Sequence, residues 1–310
     1  MPARPARTRR TVIAITALAA VLVMALPGTS QPPAPPFAPR CTLFPAGNVW
    51  NAPVRDLPVR ADSDTLIAAI GLDVGLHPDF SDAGRYGIPH NVVTGRTKRV
   101  RVRFDYPGES DRVAYPIPAR PRIEKGSDRH ILMVDRDRCR LYELFDARRR
   151  AGRWVAGSGA TWDLRSNRLR PDGWTSADAA GLPILPGLAR FDEVARGEIL
   201  HALRFTAPRT RNTHVYPARH HAGTADPSLP PMGIRVRLKA SVPLDGFGPQ
   251  ARIVLTALRD YGMILADNGS PWYVSGAPSP GWDDDDLHDL GRITGADLEV
   301  VDTSGLRSTP

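Results

Sequence analysis

Of the 310 residues, 31 are proline, one in ten, where ~5% is usual. Proline removes a backbone donor and clashes with the preceding helical turn. A chain so rich in it has little room for the long helices of a bundle and favours strands joined by loops. The hydropathy pattern agrees. Val100, Val102 and Phe104 alternate with Arg99, Arg101, Arg103 and Asp105, and Ile234, Val236, Leu238 and Ala240 alternate with Arg235, Arg237 and Lys239. That two-residue period marks half-buried strands with basic outer faces. Segments 129–135 and 140–145 flank Asp137-Arg138 as a hairpin, and 263–266 and 272–275 flank Asn268-Gly269, a strong short hairpin signal. Further strands are expected over 154–164, 199–207, 213–216 and 298–301. Helices are few. Ser63 caps one over 63–70, Pro249 starts one over 249–261 with Gly262 just past its end, and a short one is expected over 283–290. Neither an internal repeat nor a dinucleotide or P-loop motif is present. The expected fold is mainly β, a single sandwich or jelly-roll-like domain with long Pro/Gly loops and a few short helices. A β-propeller is disfavoured because no blade period recurs.

The N-terminus reads as an address. Arg4, Arg7, Arg9 and Arg10 precede an uncharged run from Thr11 to Leu26, then Pro27, Gly28, Thr29 and Ser30. This is the order of regions in a secretory signal peptide, and the run falls short of the ~20 residues of a spanning helix. The organisation expected is a signal peptide over 1–30, a stiff Pro-rich spacer over 31–40, one β-rich domain over 41–303 and a flexible tail over 304–310. The chain is expected outside the cell, with no stable membrane insertion after cleavage.

Export bears on the cysteines. In an oxidising compartment Cys41 and Cys139 are expected to pair, closing a loop of about 100 residues worth ~4–5 kcal/mol in the chain-entropy model. Two separate buried thiols are the alternative. Export also alters the charge. Lys and Arg total 41 against 33 Asp and Glu, a net +8, but residues 1–30 hold four arginines and no acid, so 37 against 33 leaves +4. That permits an anionic partner without requiring one. Nucleic acid is not expected, because the arginines are spread over several strands.

Five segments, Phe44–Asn51, Asp128–Leu132, Cys139–Phe145, Trp174–Gly187 and Asp267–Ser270, resemble a group of exported bacterial proteins of actinobacterial type that has no assigned activity. The resemblance covers nearly the whole chain after the signal. It implies export and a shared fold, and carries over no catalytic residues.

Two polar groupings suit chemistry on a glycan. Arg204, Arg209, Arg211, His214, Tyr216, Arg219, His220 and His221 are dense in one stretch. On a strand His214 and Tyr216 share a face. With Arg204, Arg219 and His220 they match a polysaccharide lyase, which neutralises a uronate carboxylate and removes the neighbouring proton. The specificity of this pattern is weak, and the plainer reading of the stretch is a solvated basic strand plus a loop. A glycosidase instead needs two carboxylates, ~5–9.5 Å apart. Asp163 and Asp267 sit beside aromatic and small residues, with Asp178 and Glu193 as further candidates and Trp162, Trp174 and Trp272 as sugar-stacking platforms. Against this, Asp267-Asn-Gly-Ser is also plain turn chemistry, and tryptophans also fill cores. His201 shares its strand face with Leu203 and Phe205 and reads as a core histidine. Asp283–Asp286 reads either as a calcium loop or as the acidic start of a helix. The histidines lack zinc spacing, so neither metal nor cofactor is expected. Gly157-Ser158-Gly159 reads as a strand bend. The function expected is an exported carbohydrate-active enzyme, glycoside hydrolase or polysaccharide lyase, acting on a polysaccharide or cell-wall glycan. The alternative is a non-catalytic envelope or polysaccharide-binding protein.

Overall fold

The computed structural model describes Met1, residues 31–80 and residues 85–306. The expected signal peptide, its first residue apart, and the end of the expected tail lie outside the described residues. In the first half the strands are β1 (His77–Asp79), β2 (His90–Val93), β3 (Val100–Phe104), β4 (Ala114–Tyr115), β5 (Ile131–Asp135), β6 (Arg140–Phe145), β7 (Arg148–Arg150), β8 (Arg153–Ala156) and β9 (Ser158–Asp163). In the second half they are β10 (Leu203–Ala207), β11 (Arg211–His214), β12 (Pro231–Met232), β13 (Arg235–Leu238), β14 (Met263–Asn268), β15 (Tyr273–Ser275) and β16 (Leu298–Val301). The α-helices are α1 (Ser63–Gly71), α2 (Phe191–Val194), α3 (Pro249–Asp260) and α4 (Asp284–His288). The chain is therefore mainly β with few, short helices.

The sheets are layered. The largest has the order β1-β15-β10-β14-β13-β16, a second β2-β5-β6-β9 and a third β4-β3-β8-β7. The second lies between two cores. Leu132, Val134, Leu141, Ala160 and Trp162 join Leu203, Phe205 and Met263 of the large sheet in the main core. Alternate residues of the same strands, Ile131, Met133, Tyr142 and Leu144, join Phe104, Tyr115, Trp154 and Ala156 of the third sheet in a smaller one. Burial on both faces explains why residues 131–134 of β5 run continuously apolar and do not alternate. α1 packs on β16 and α3 on β13. Pairing within each sheet is mixed: β10 with β14, β2 with β5 and β3 with β8 are parallel.

Several expectations are met at the level of register. β5 and β6 form the antiparallel hairpin. α3 starts at Pro249 and is followed by Gly262 in the left-handed region, φ 66°. Cys41 and Cys139 form the disulfide, with their Cα atoms 5.2 Å apart. Others differ. Across Asn268-Gly269 the chain turns, but β14 and β15 do not pair, because β10 lies between them, parallel to β14 and antiparallel to β15. Ser63 does not cap α1; its Oγ accepts from the Val300 N–H at 2.9 Å, tying the helix to β16. The Pro-rich segment, expected as a stiff spacer, is packed onto the domain: Ala38 is wholly buried, and the Gln31 side chain bridges Phe44 O and the Ala46 N–H. No helix among the described residues is long and apolar enough to cross a membrane.

Candidate active site

One contact brings the central carboxyl groups together. The Ala180 N–H donates to Ala266 O at 2.9 Å, docking the loop after β9 onto β14. Asp178 stands two residues before one partner of that bond, and Asp267 directly follows the other. The loop holds its shape through Ser176, whose Oγ donates to Leu182 O at 2.6 Å and accepts from the Asp178 N–H at 3.0 Å. Gly181 completes it at φ +70°, where a Cβ would meet Trp174 O at 2.5 Å.

Between the two carboxyl groups lies Arg204 of β10, buried like Asp178. Its Nη1 donates to Ser275 Oγ on β15 at 2.7 Å. Its Nη2 donates to Asp178 Oδ2 at 3.2 Å and stands 3.8 Å from Asp267 Oδ2. The two carboxylate oxygens are thus no further apart than the sum of those distances, 7.0 Å. Burial pushes the Asp178 carboxyl up to about 7; the Arg204 charge opposes this and the Asp267 charge adds to it. Burial also raises Asp267, against the pull of Arg204 and His130. The Asp178 side chain is wholly enclosed, whereas 23% of the Asp267 side chain is exposed.

A cavity of about 350 Å³ opens over this pair, with Glu109, His220, Tyr106 and Phe145 also in its wall. The volume is in the range of small-ligand sites, ~300–1,000 Å³. Glu109 Oε2 accepts from the Thr175 N–H at 3.1 Å and lies 3.7 Å from His220 Nε2. His220 Nδ1 is 2.8 Å from Ala179 O, so that nitrogen carries the proton. The cavity therefore presents two accessible carboxyl groups, Asp267 on its floor and Glu109 on its wall.

More ionisable groups lie behind the floor. Glu143 points from β6 into the main core and accepts from the Ile184 and Leu185 N–H groups at 2.9 Å each. Burial still pushes it up to about 7. His130 Nδ1 is 2.6 Å from Glu124 Oε2, and its Nε2 is 2.8 Å from Ala177 O. Burial alone would lower His130, but the Glu124 hydrogen bond and charge hold it above the ordinary histidine value. Burial likewise works to raise Glu124, and His130 outweighs it. Asp79 is pushed up to about 6, by burial and by Glu124.

The residues singled out from sequence are distributed unevenly about this site. Asp267, Asp178, Arg204 and His220 converge on it. Asp163 does not: it ends β9, exposed, accepts from the Arg165 N–H at 3.0 Å, and opens onto a different cavity of about 480 Å³. Trp162 and Trp174 border that second cavity, with the Arg170 guanidinium 5.8 and 5.6 Å from their ring centres. Trp272 is a core residue with no free face, wholly buried, its Nε1 donating to Gly71 O at 2.7 Å and its ring against Phe205. His214 and Arg219 share Asp172, each at 3.1 Å. Tyr216, before a cis Pro217, packs against the main core. Glu193 is taken up by Arg190 and by His201. The Asp283–Asp286 run caps helices. Asp283 accepts from the Asp286 N–H, and Asp286 accepts from the Gln250 and Ala251 N–H groups at the start of α3. Among the described residues no cluster of His, Cys, Asp and Glu has metal-site geometry. Gly157 is a bend between β8 and β9, where a Cβ would strike the Phe145 ring at 2.6 Å.

Sequence reasoning missed Glu109 and Glu143. Glu143 carried a signal, as the one charged side chain inside the apolar stretch Leu141–Phe145. Glu109 lies in a polar loop and carried none. No family model, curated protein or solved structure matches the chain.

Proposed function

We propose that this chain is an exported glycan-cleaving enzyme that works in the Asp267 cavity. The supporting observation is the carboxyl pair on its floor, Asp178 and Asp267, held to one nitrogen of a buried arginine within 7.0 Å of each other. Asp267 is the proton donor to the leaving glycosidic oxygen: it is accessible, and burial raises its proton affinity. Glu109 is the second catalytic carboxylate, acting from the cavity wall as base or nucleophile. Asp178 has no exposed side chain and is a positioning residue, fixing Arg204 and with it the Asp267 carboxyl. Tyr106 and Phe145 supply apolar surface for a sugar ring.

The test is a screen of the purified protein against neutral and uronic-acid polysaccharides, scoring new reducing ends and the absorbance of unsaturated products. Hydrolysis is expected, abolished in Asp267→Asn and Glu109→Gln and retained in Asp163→Asn. Unsaturated products would overturn hydrolysis in favour of a lyase. Lack of cleavage of either class, with binding to one, would favour a non-catalytic glycan binder, a reading for which the Trp162–Arg170–Trp174 stack beside the second cavity is the specific observation.

A further inference from the structure

The third sheet carries a charge pattern that glycan cleavage does not use. β8 runs parallel to β3 on one side and antiparallel to β7 on the other. Arg150 pairs directly with Arg153, and the register Val102↔Trp154 sets Arg101 beside Arg153 one residue earlier. With strands ~4.8 Å apart, these three arginines form a row about 10 Å across, and Arg103 extends the same face ~6.6 Å along β3. All four are exposed. No ion pair engages them among the described residues, whereas Arg170, Arg204 and Arg237 each meet a carboxylate within 3.2 Å. Like charges facing each other across strands destabilise a sheet, so this row costs the fold stability that a bound counter-charge would restore.

A groove of about 920 Å³ lies at this face. Lys98 and Arg149 add to its basic lining, Asp105 is its one acid, and the Arg149 guanidinium sits 5.1 Å over the Trp154 ring. Six bases against one acid give the groove a net +5, more than the +4 of residues 31–310 as a whole. The basic character of the chain beyond its first 30 residues is concentrated here.

We infer that this face binds a linear acidic glycan whose charges are uronate carboxylates. The extended strand surface suits an extended chain, and planar guanidinium forks suit carboxylates. The spacing of the arginines, ~5–7 Å in both directions, is the scale of one sugar ring. The choice of a glycan rests on the function proposed above; the charge pattern itself does not depend on catalysis. The groove would hold the polymer while the separate Asp267 cavity acts on it, which makes the substrate class acidic.

Affinity electrophoresis of the full chain tests this, in gels containing polygalacturonate, dextran or single-stranded DNA. Retardation by polygalacturonate alone is expected, weakening as salt rises. The double variant Arg101→Gln/Arg153→Gln should bind about tenfold less tightly, while Arg120→Gln, an exposed arginine outside the groove, matches wild type. Absence of retardation by polygalacturonate, equal or stronger retardation by DNA, or an unaffected double variant would overturn the inference. Binding without cleavage would sink the proposed activity alone. Cleavage with binding indifferent to Arg101 and Arg153 would sink this inference alone.

Discussion

Replacing Glu143 by Gln should make the protein's stability less sensitive to pH, by an amount the structure fixes. The Glu143 carboxyl is wholly buried and pushed up from the usual 4.5 to about 7. Between those values the folded chain holds a proton that the unfolded chain has released. Its stabilising contribution is therefore complete below pH 4.5, declines as pH rises, and is gone above about pH 7. The step from 4.5 to about 7, at ~1.36 kcal/mol per tenfold change in proton affinity, is ~3 kcal/mol, or roughly 6–12 °C in Tm for a domain of this size. Glutamine is neutral throughout and lacks this dependence. It turns an amide N–H toward one of the two backbone N–H groups that Glu143 accepts from. That mismatch costs ~1–3 kcal/mol at every pH and cancels from the comparison. The measurement is urea unfolding of both proteins at pH 4.5, 6 and 8. The gap should move by ~3 kcal/mol in favour of the variant between the extremes. Parallel curves, with a gap constant to within about 1 kcal/mol, would refute the reasoning, because Glu143 would then share its ionisation between folded and unfolded states.

Three further outcomes follow. If Asp267 donates a proton, cleavage falls as pH rises through its pKa; the Arg204 charge lowers that pKa, so Arg204→Gln should move the alkaline limb of kcat to higher pH, where a merely structural Arg204 would leave it in place. Reduction of the disulfide, or the Cys41→Ser/Cys139→Ser pair, should cost ~4–5 kcal/mol on the chain-entropy account and be visible as a lower Tm, since the bond spans 98 residues. Asp286→Ala frees the two α3 N–H groups that it now holds and should cost ~1–2 kcal/mol in urea unfolding, with added calcium leaving wild type and variant equally unmoved.

How far the sequence could be read depended on the range of each signal. β3 was visible because its pattern is local: Val100, Val102 and Phe104 face a core and the arginines between them do not. The β5–β6 hairpin was visible for the same reason, with both strands and their turn inside one 15-residue stretch. The turn at Asn268-Gly269 was also visible, but its implication was not. A turn shows that the chain reverses; it does not show which strands pair, and β10, some 60 residues earlier, takes the place between β14 and β15. The site follows the same rule. Asp178 and Asp267 are 89 residues apart and meet because of one loop-to-strand hydrogen bond and one arginine, neither of which has a sequence period. Asp163 and Asp267 looked alike beside their tryptophan and asparagine neighbours, yet β9 and β14 belong to different sheets. Trp272 looked like a platform because hydropathy cannot distinguish a tryptophan facing a groove from one filling a core.

The contrast between two buried charge clusters gives the best physical reason for placing chemistry at Asp267. Around Glu193 the charges balance: Arg190 and His201 both reach it, and their pull outweighs burial, holding the carboxyl below its usual value. Such a group is ionised, satisfied and fixed, as a structural ion pair should be. Around Arg204 they do not balance. Asp178, Asp267 and Glu143 all feel its charge, His130 adds a second pull on Asp267 and Glu143, and burial still leaves all three carboxyls raised. One guanidinium cannot neutralise three carboxylates, so Asp178 and Glu143, the two that are wholly buried, hold protons near neutral pH. A fold seeking stability alone would replace such a cluster with apolar side chains at little or no loss. Of the three acids, Asp267 is the one that reaches a cavity with an exposed side chain, which is why the proposed function gives it the proton-donating role. Burial, which makes Glu143 a drain on stability at alkaline pH, also raises the proton affinity of Asp267.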